Sequence, residues 1–189
     1  MAIISARRLG ELGAMRASFP YLRFFSDMVT LHLDPKFVAK VNSLFHLSQE
    51  LVLPVLSDAD RDVPSSLDVK RALSIYLQRI ADFRVSDSLF VCFASANKGK
   101  KATAQTLSRW IKLAISEAYK VVGLDLDVSS VQGRSTRSVS ASWAELGGAS
   151  MLEICRAATW STHHTFIVHY QLALTHDSDN FGVSVLRST

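Results

Sequence analysis

The sequence predicts an α+β fold: a mainly helical domain with a small three-stranded antiparallel sheet near the N-terminus. Residues 21–25 and 28–33 (YLRFF and MVTLHL) are short runs rich in β-branched and aromatic residues, and residues 50–53 (ELVL) supply a third. From Leu67 onward apolar residues recur at helical spacing, interrupted by glycines and polar turns. With 189 residues, 48% hydrophobic and 20% charged, the chain has enough apolar material for one domain with a real core.

The elements follow in order. Residues 2–15 mix Ala, Leu, Ile and Met with Arg and Glu and read as one helix, which Pro20 ends. The strands come next, separated by a loop over residues 34–49, and the polar stretch 58–66 with Pro64 is a turn region. Residues 67–84 carry Val69, Leu73, Ile75, Leu77 and Ile80 and predict a helix. Residues 89–94 (LFVCFA) read as a short buried segment, and residues 97–101 (NKGKK) as a basic loop. A long amphipathic helix over residues 103–122 stops at Gly123, a C-cap. Residues 135–145 and 150–158 form two helices broken by Gly147 and Gly148, and another helix covers residues 165–170. Phe90, Phe93, Leu107, Trp110 and Ile111 are expected in the core.

A net charge of +4 admits an anionic partner without requiring one. Cys92 and Cys155 stand far apart in apolar surroundings, so they read as free core thiols in a reducing compartment. No apolar run approaches the roughly 20 residues that span a bilayer. The N-terminus has its apolar residues before Arg7 and Arg8, the reverse of a secretion signal. An intracellular protein without a membrane partner is expected.

The C-terminal third holds the groups needed to break a phosphodiester without a metal. Such chemistry requires a side-chain nucleophile, cationic donors on the non-bridging oxygens, an acid for the leaving oxygen and an acceptor for the nucleophile's proton. Arginine suits the clamp, because its planar fork binds phosphate bidentately and keeps its charge. Arg134 and Arg137 open a helix and share a face at i and i+3. Gly147-Gly148-Ala149-Ser150, Trp160 and Tyr170 follow, and Arg8-Leu9-Gly10-Glu11-Leu12 stands near the start.

In order and spacing this series resembles the catalytic domain of the tyrosine recombinases, the phage-integrase family. That family has an Arg-x-x-Glu-Leu box, a His-x-x-Arg box, a Gly-Gly-Ala turn, a His or Trp, and a nucleophilic Tyr about ten residues later. The stretch Cys155-Arg156-Ala157-Ala158-Thr159-Trp160 is most similar to recombinases of DIRS-like retrotransposons, which implies a mobile-element origin and a nuclear setting. The resemblance implies that Arg8 and Arg137 clamp the scissile phosphate and that Trp160 donates its indole N–H to a non-bridging oxygen. Tyr170 attacks, leaving a 3′-phosphotyrosyl link and a free 5′-hydroxyl. A lysine in the turn after the second strand protonates the leaving oxygen; Lys40 and Lys36 both stand there, with Lys40 favoured. The implied partner is double-stranded DNA, met by several protomers together, with no metal, no nucleotide cofactor and no small-molecule substrate. Residues 1–175 would be the catalytic domain, the family's preceding helical domain being absent, and residues 176–189 a short polar tail.

One departure stands out. Arg134 occupies the place of the family's His, and a guanidinium cannot accept the tyrosine's proton. Two other readings therefore stay open: a DNA-binding relic that no longer cleaves, and a helical protein-interaction module. Arg8 also has an ordinary role available, as a surface partner of Glu11. Lys98, Lys100 and Lys101 are either a solvated loop or contacts to DNA backbone. His163, His164 and His169 cluster near Tyr170 but lack a Cys or carboxylate at ligand spacing, so a metal site is not expected.

Overall fold

The computed structural model describes residues 1–38, 50–55, 67–124, 131 and 135–172. Two short helices, α1 (Ala2–Ser5) and α2 (Leu9–Gly13), precede the strands β1 (Leu22–Phe24), β2 (Met28–Leu31) and β3 (Leu51–Pro54). The helices α3 (Val69–Ile80), α4 (Ala104–Val121), α5 (Ser135–Leu146), α6 (Met151–Ala157) and α7 (His163–His169) follow. The strands pair antiparallel in the order β1-β2-β3, with Leu22 opposite Leu31 and Leu31 opposite Leu51. The α+β architecture is therefore the expected one. The predicted turn over residues 58–66, most of the loop over 34–49 and the tail beyond residue 172 lie outside the described residues.

Local chemistry sets the helix ends. Asp68 caps α3 by accepting the backbone N–H groups of Lys70 and Arg71, and Thr103 caps α4 by accepting that of Thr106. At the other end of α4, Gly123 turns left-handed and Leu124 N–H reaches back 3.0 Å to the Tyr119 carbonyl. Gly148 does the same after α5, where Ala149 N–H bonds the Ala144 carbonyl at 2.9 Å. Ser150 and Glu153 then start α6 with a reciprocal capping box.

Two buried clusters result. The larger lies under the sheet, where Leu22, Val29, Leu31, Leu51 and Leu53 meet Leu12, Met15, Leu73, Leu89 and Leu107. The smaller joins Ala6 to Ala141, Ile154, Cys155, Ala158, Trp160 and Phe166. Helix α1 packs on α5, and α2 packs on α4. The first fourteen residues thus stitch one cluster to the other.

Two expectations are corrected. The single helix over residues 2–15 is broken: Ala6 is left-handed (φ 48°, ψ 17°) and Arg8 is extended (φ −68°, ψ 148°). A straight helix keeps one stripe pointed at one core, whereas this chain serves two, and the break re-aims it between them. Phe93 is 52% exposed rather than buried. It stacks edgewise in a rim of Tyr76, Phe83 and Trp110 that covers the core from outside. The other four residues expected inside do pack in or against the main cluster or its rim, Leu107 being fully buried.

Two glycines with the same left-handed backbone separate strain from clash. An added Cβ at Gly99 (φ 79°) would sit 1.9 Å from the Phe83 carbonyl oxygen, whereas at Gly123 (φ 71°) it would meet nothing within 4 Å. Gly123→Ala is expected to lose about 1–2 kcal/mol, the left-handed penalty alone. Gly99→Ala is expected to lose clearly more; equal urea midpoints for the two variants would contradict this account.

Candidate active site

Helix α5 faces inward through Thr136, Arg137, Ala141 and Ser142, all buried. Arg137 is only 3% exposed, and its surroundings are aromatic. Its guanidinium carbon lies 4.7 Å from the Trp160 ring centre and 5.4 Å from that of Tyr170. The two rings are 4.7 Å apart, and Trp160 also stacks on Phe166 at 5.7 Å. One guanidinium nitrogen, Nη2, donates a short hydrogen bond to the Ala158 carbonyl.

The chain is bent to deliver these partners. The turn that follows α6 passes through Thr159, a β-branched residue held left-handed at φ 53° and 2% exposed. That conformation normally belongs to glycine. It allows Trp160 N–H to bond the Cys155 carbonyl at 2.8 Å, which folds the indole back over Arg137. The Thr159 hydroxyl donates to the same Ala158 carbonyl at 2.7 Å, compensating part of the strain. Tyr170 closes α7, and the residues after it are tied to α5. Gln171 Nε2 donates to the Glu145 carboxylate at 2.9 Å and Leu172 N–H to Ser142 Oγ at 3.0 Å. The phenol is thereby pinned along the helix that carries Arg137.

The N-terminal break supplies the rest. Arg8 Nη1 pairs with Glu11 Oε1 at 3.3 Å, and Glu11 Oε2 accepts the Arg8 backbone N–H at 3.2 Å. Glu11 is buried while the Arg8 side chain remains 30% exposed, so Arg8 can face solvent and Arg137 at once. Arg7 is also buried, with Nη2 donating to the Glu50 carbonyl at 3.3 Å. Burial above all, then the positive charge of Arg8, pushes the Arg137 guanidinium down to about 10. Glu11 and Tyr170 act the other way, and Arg7 adds to the repulsion. Arg137 nevertheless stays cationic at neutral pH.

Electrostatically the group is unbalanced. Arg7, Arg8 and Arg137 converge on Glu11 as the carboxylate that all three feel. Arg137 Nε and Nη1 and Trp160 Nε1 are buried and have no hydrogen-bond partner among the described residues. An unpaired buried donor is costly, and an unpaired buried cation more so. Chemically, such donors match an anion with several acceptor oxygens.

Arg137, Trp160 and Tyr170 are therefore brought together, and Arg8 is near enough for its charge to act on Arg137. Arg134 and Lys40 lie outside the described residues. Lys36 is exposed on the turn after β2, which is held to α2 through Asp34 N–H on the Ala14 carbonyl at 2.8 Å, while Phe37 packs over Gly10. Lys98 stands 4.7 Å over the Phe83 ring, Lys100 is exposed, and Lys101 pairs with Val91. Contacts with the Arg137 group are absent for these three among the described residues. His163, His164 and His169 are exposed on α7, and no metal-holding group of three or more His, Cys, Asp or Glu occurs among the described residues. No described helix is long and apolar enough to cross a membrane. The sequence reading overlooked Arg7 and the Ala158 carbonyl; the Arg7-Arg8 doublet was the available signal, but in an unbroken helix Arg7 would point elsewhere.

Comparison with known proteins agrees with this geometry at the level of fold. No protein-family model matches the chain, and no curated protein matches its sequence. The XerA recombinase crystal structure superposes with a TM-score of 0.58 at 15% identity, over 99% of this chain and 53% of that one. The XerH site-specific recombinase bound to difH substrate, in a pre-cleavage complex, gives 0.55 at 12% identity, over 91% and 41%. Its post-cleavage complex with palindromic difH gives 0.56 at 12%, over 98% and 42%. The chain shares its fold with these recombinase structures. It spans about half the length of those proteins.

The depressed basicity of Arg137 has a consequence with a definite sign. Between pH 10 and the ordinary arginine value the folded state binds fewer protons than the unfolded one, so the arginine's contribution to stability rises with pH there and is lost as pH falls through 10. Arg137→Met removes the buried charge and leaves the Ala158 carbonyl bonded to Thr159. At pH 7 the variant is expected to be at least as stable as the parent, and its advantage to shrink between about pH 9 and 11. Urea denaturation of both at the two pH values checks this; a variant strongly destabilised at pH 7 would oppose it.

Proposed function

We propose that this domain cleaves and rejoins double-stranded DNA by transesterification through Tyr170. The observation that carries the reading is the buried Arg137–Trp160 pair, whose unpaired N–H donors stand against the Tyr170 ring. A phosphodiester offers two non-bridging oxygens and one negative charge, which suits those donors. The fold shared with XerA and XerH recombinases supports it.

In this mechanism Arg8 and Arg137 hold the non-bridging oxygens, and Trp160 Nε1 adds a neutral donor. The Tyr170 oxygen attacks phosphorus in line, its phenolic proton passing to solvent water because Arg134 cannot accept it. The new bond to phosphorus forms as the bond to the 5′ oxygen breaks, giving a 3′-phosphotyrosyl link. A lysine of the turn after β2, Lys40 or Lys36, protonates the departing 5′ oxygen. Religation reverses the steps with a 5′-hydroxyl from the same or another strand. The domain needs no metal or nucleotide for this, works as several copies on DNA, and descends from a DIRS-like mobile element acting in the nucleus. Lys98, Lys100 and Lys101 contribute backbone contacts away from the reacting phosphate.

Arg134 favours a second reading. A guanidinium in place of an imidazole can hold phosphate but cannot take the tyrosine's proton, and loss of a general base lowers rates by about 10²–10⁴. The domain would then bind DNA and cleave it poorly. A nicked suicide substrate, from which the leaving fragment diffuses away, distinguishes the two. A covalent protein–DNA band for the parent and none for Tyr170→Phe is the expected result. No band for either, intact DNA binding and a band restored by Arg134→His would establish the impaired form. A band that persists in Tyr170→Phe would overturn the assignment of the nucleophile.

A further inference from the structure

Arg7 has no place in the cleavage scheme, yet it is among the most deeply buried charges of the described residues, at 3% exposure. Its Nη2 donates to one backbone carbonyl, that of Glu50, and its Nε finds no partner among the described residues. The nearby carboxylate of Glu50 does not neutralise it. That carboxylate is turned to His32 Nε2 at 2.9 Å and Arg23 Nη2 at 3.6 Å. Glu11, the carboxylate Arg7 does feel, is already paired with Arg8. Ala6, the chain neighbour of Arg7, is buried in one cluster with Ala141, Ala158 and Trp160, so Arg7 enters the interior beside the Arg137 group. Burial lowers the basicity of Arg7, and Arg7 in turn helps lower that of Arg137.

A cation so placed opposes folding: it is desolvated, incompletely bonded and repelled by a second buried cation. An anion at the neighbouring site reverses the sign of that last effect. Its attraction to Arg7 acts through protein interior, where salt screens little. We infer that Arg7 is a positioning residue that strengthens anion binding at Arg137 by charge rather than contact. The inference rests on the proposed phosphate site and deepens it, giving that site three cations instead of two.

The test compares Arg7→Met, Arg7→Lys and Arg137→Met with the parent, reading melting temperature, its rise with inorganic phosphate, and affinity for a short DNA duplex. Arg7→Met should melt no lower than the parent but bind phosphate and duplex more weakly, on the order of tenfold. Arg7→Lys, which keeps the charge, should recover most of that loss. A structural arginine behaves oppositely: Arg7→Met would melt lower or fail to fold, or its folded fraction would bind phosphate and duplex normally. Either result overturns the inference. If Arg137→Met abolishes the phosphate response while Arg7→Met leaves it intact, the site stands and the role of Arg7 falls. If the parent shows no phosphate response and Arg137→Met binds duplex unchanged, the site falls and the inference with it.

Discussion

The structure turns on a guanidinium buried between two aromatic rings. Arg137 is held by the Trp160 and Tyr170 faces and by the Ala158 carbonyl, partners supplied by the turn after α6 and by the end of α7. Cation–π contacts of a desolvated arginine contribute roughly 2 kcal/mol, less than the several kcal/mol lost on removing the ion from water. The deficit is carried by the surrounding fold. The left-handed Thr159, the tie of Leu172 to Ser142 and the break at Ala6 all serve to assemble groups around a charge that would otherwise stay in solvent.

That balance explains why the molecule is arranged around a seam rather than a single core. The cluster beneath the sheet and the cluster of α5, α6 and α7 are each apolar, and neither accommodates a cation alone. Between them run residues 6–8. Ala6 belongs to the second cluster, Arg7 reaches the Glu50 carbonyl just before β3, and Arg8 is clasped by Glu11. Charged groups from both ends of the chain meet there because the apolar surfaces on either side exclude water from the junction.

Much of this was legible in the residues. Strand composition around Val29 and Leu53, the caps at Asp68, Thr103 and Ser150, and the stops at Gly123 and Gly148 are local signals, and they located the sheet and most helices. The order of Arg137, Trp160 and Tyr170 indicated residues that meet in space, with Arg8 near enough for its charge to act on Arg137. The break at Ala6 was not legible, because alanine favours helix and the apolar pattern continues across it. The turn at Thr159 was hidden for a similar reason: a β-branched residue carries no left-handed signal, and only the packing of Trp160 imposes it. The exposure of Phe93 depends on its aromatic neighbours rather than on its own hydrophobicity.

The two bonds that follow Tyr170 bear on how copies of this chain can share work. Gln171 and Leu172 fasten the chain beside the phenol to Glu145 and Ser142, about two turns and one turn along from Arg137 on the same helix. The tyrosine is therefore held against the arginine of its own chain. Lending it to a neighbour would require giving up both bonds, the Trp160 contact and the last turn of α7. The guanidinium, the indole and the phenol are thus gathered within one copy of the chain, with no group borrowed from a second.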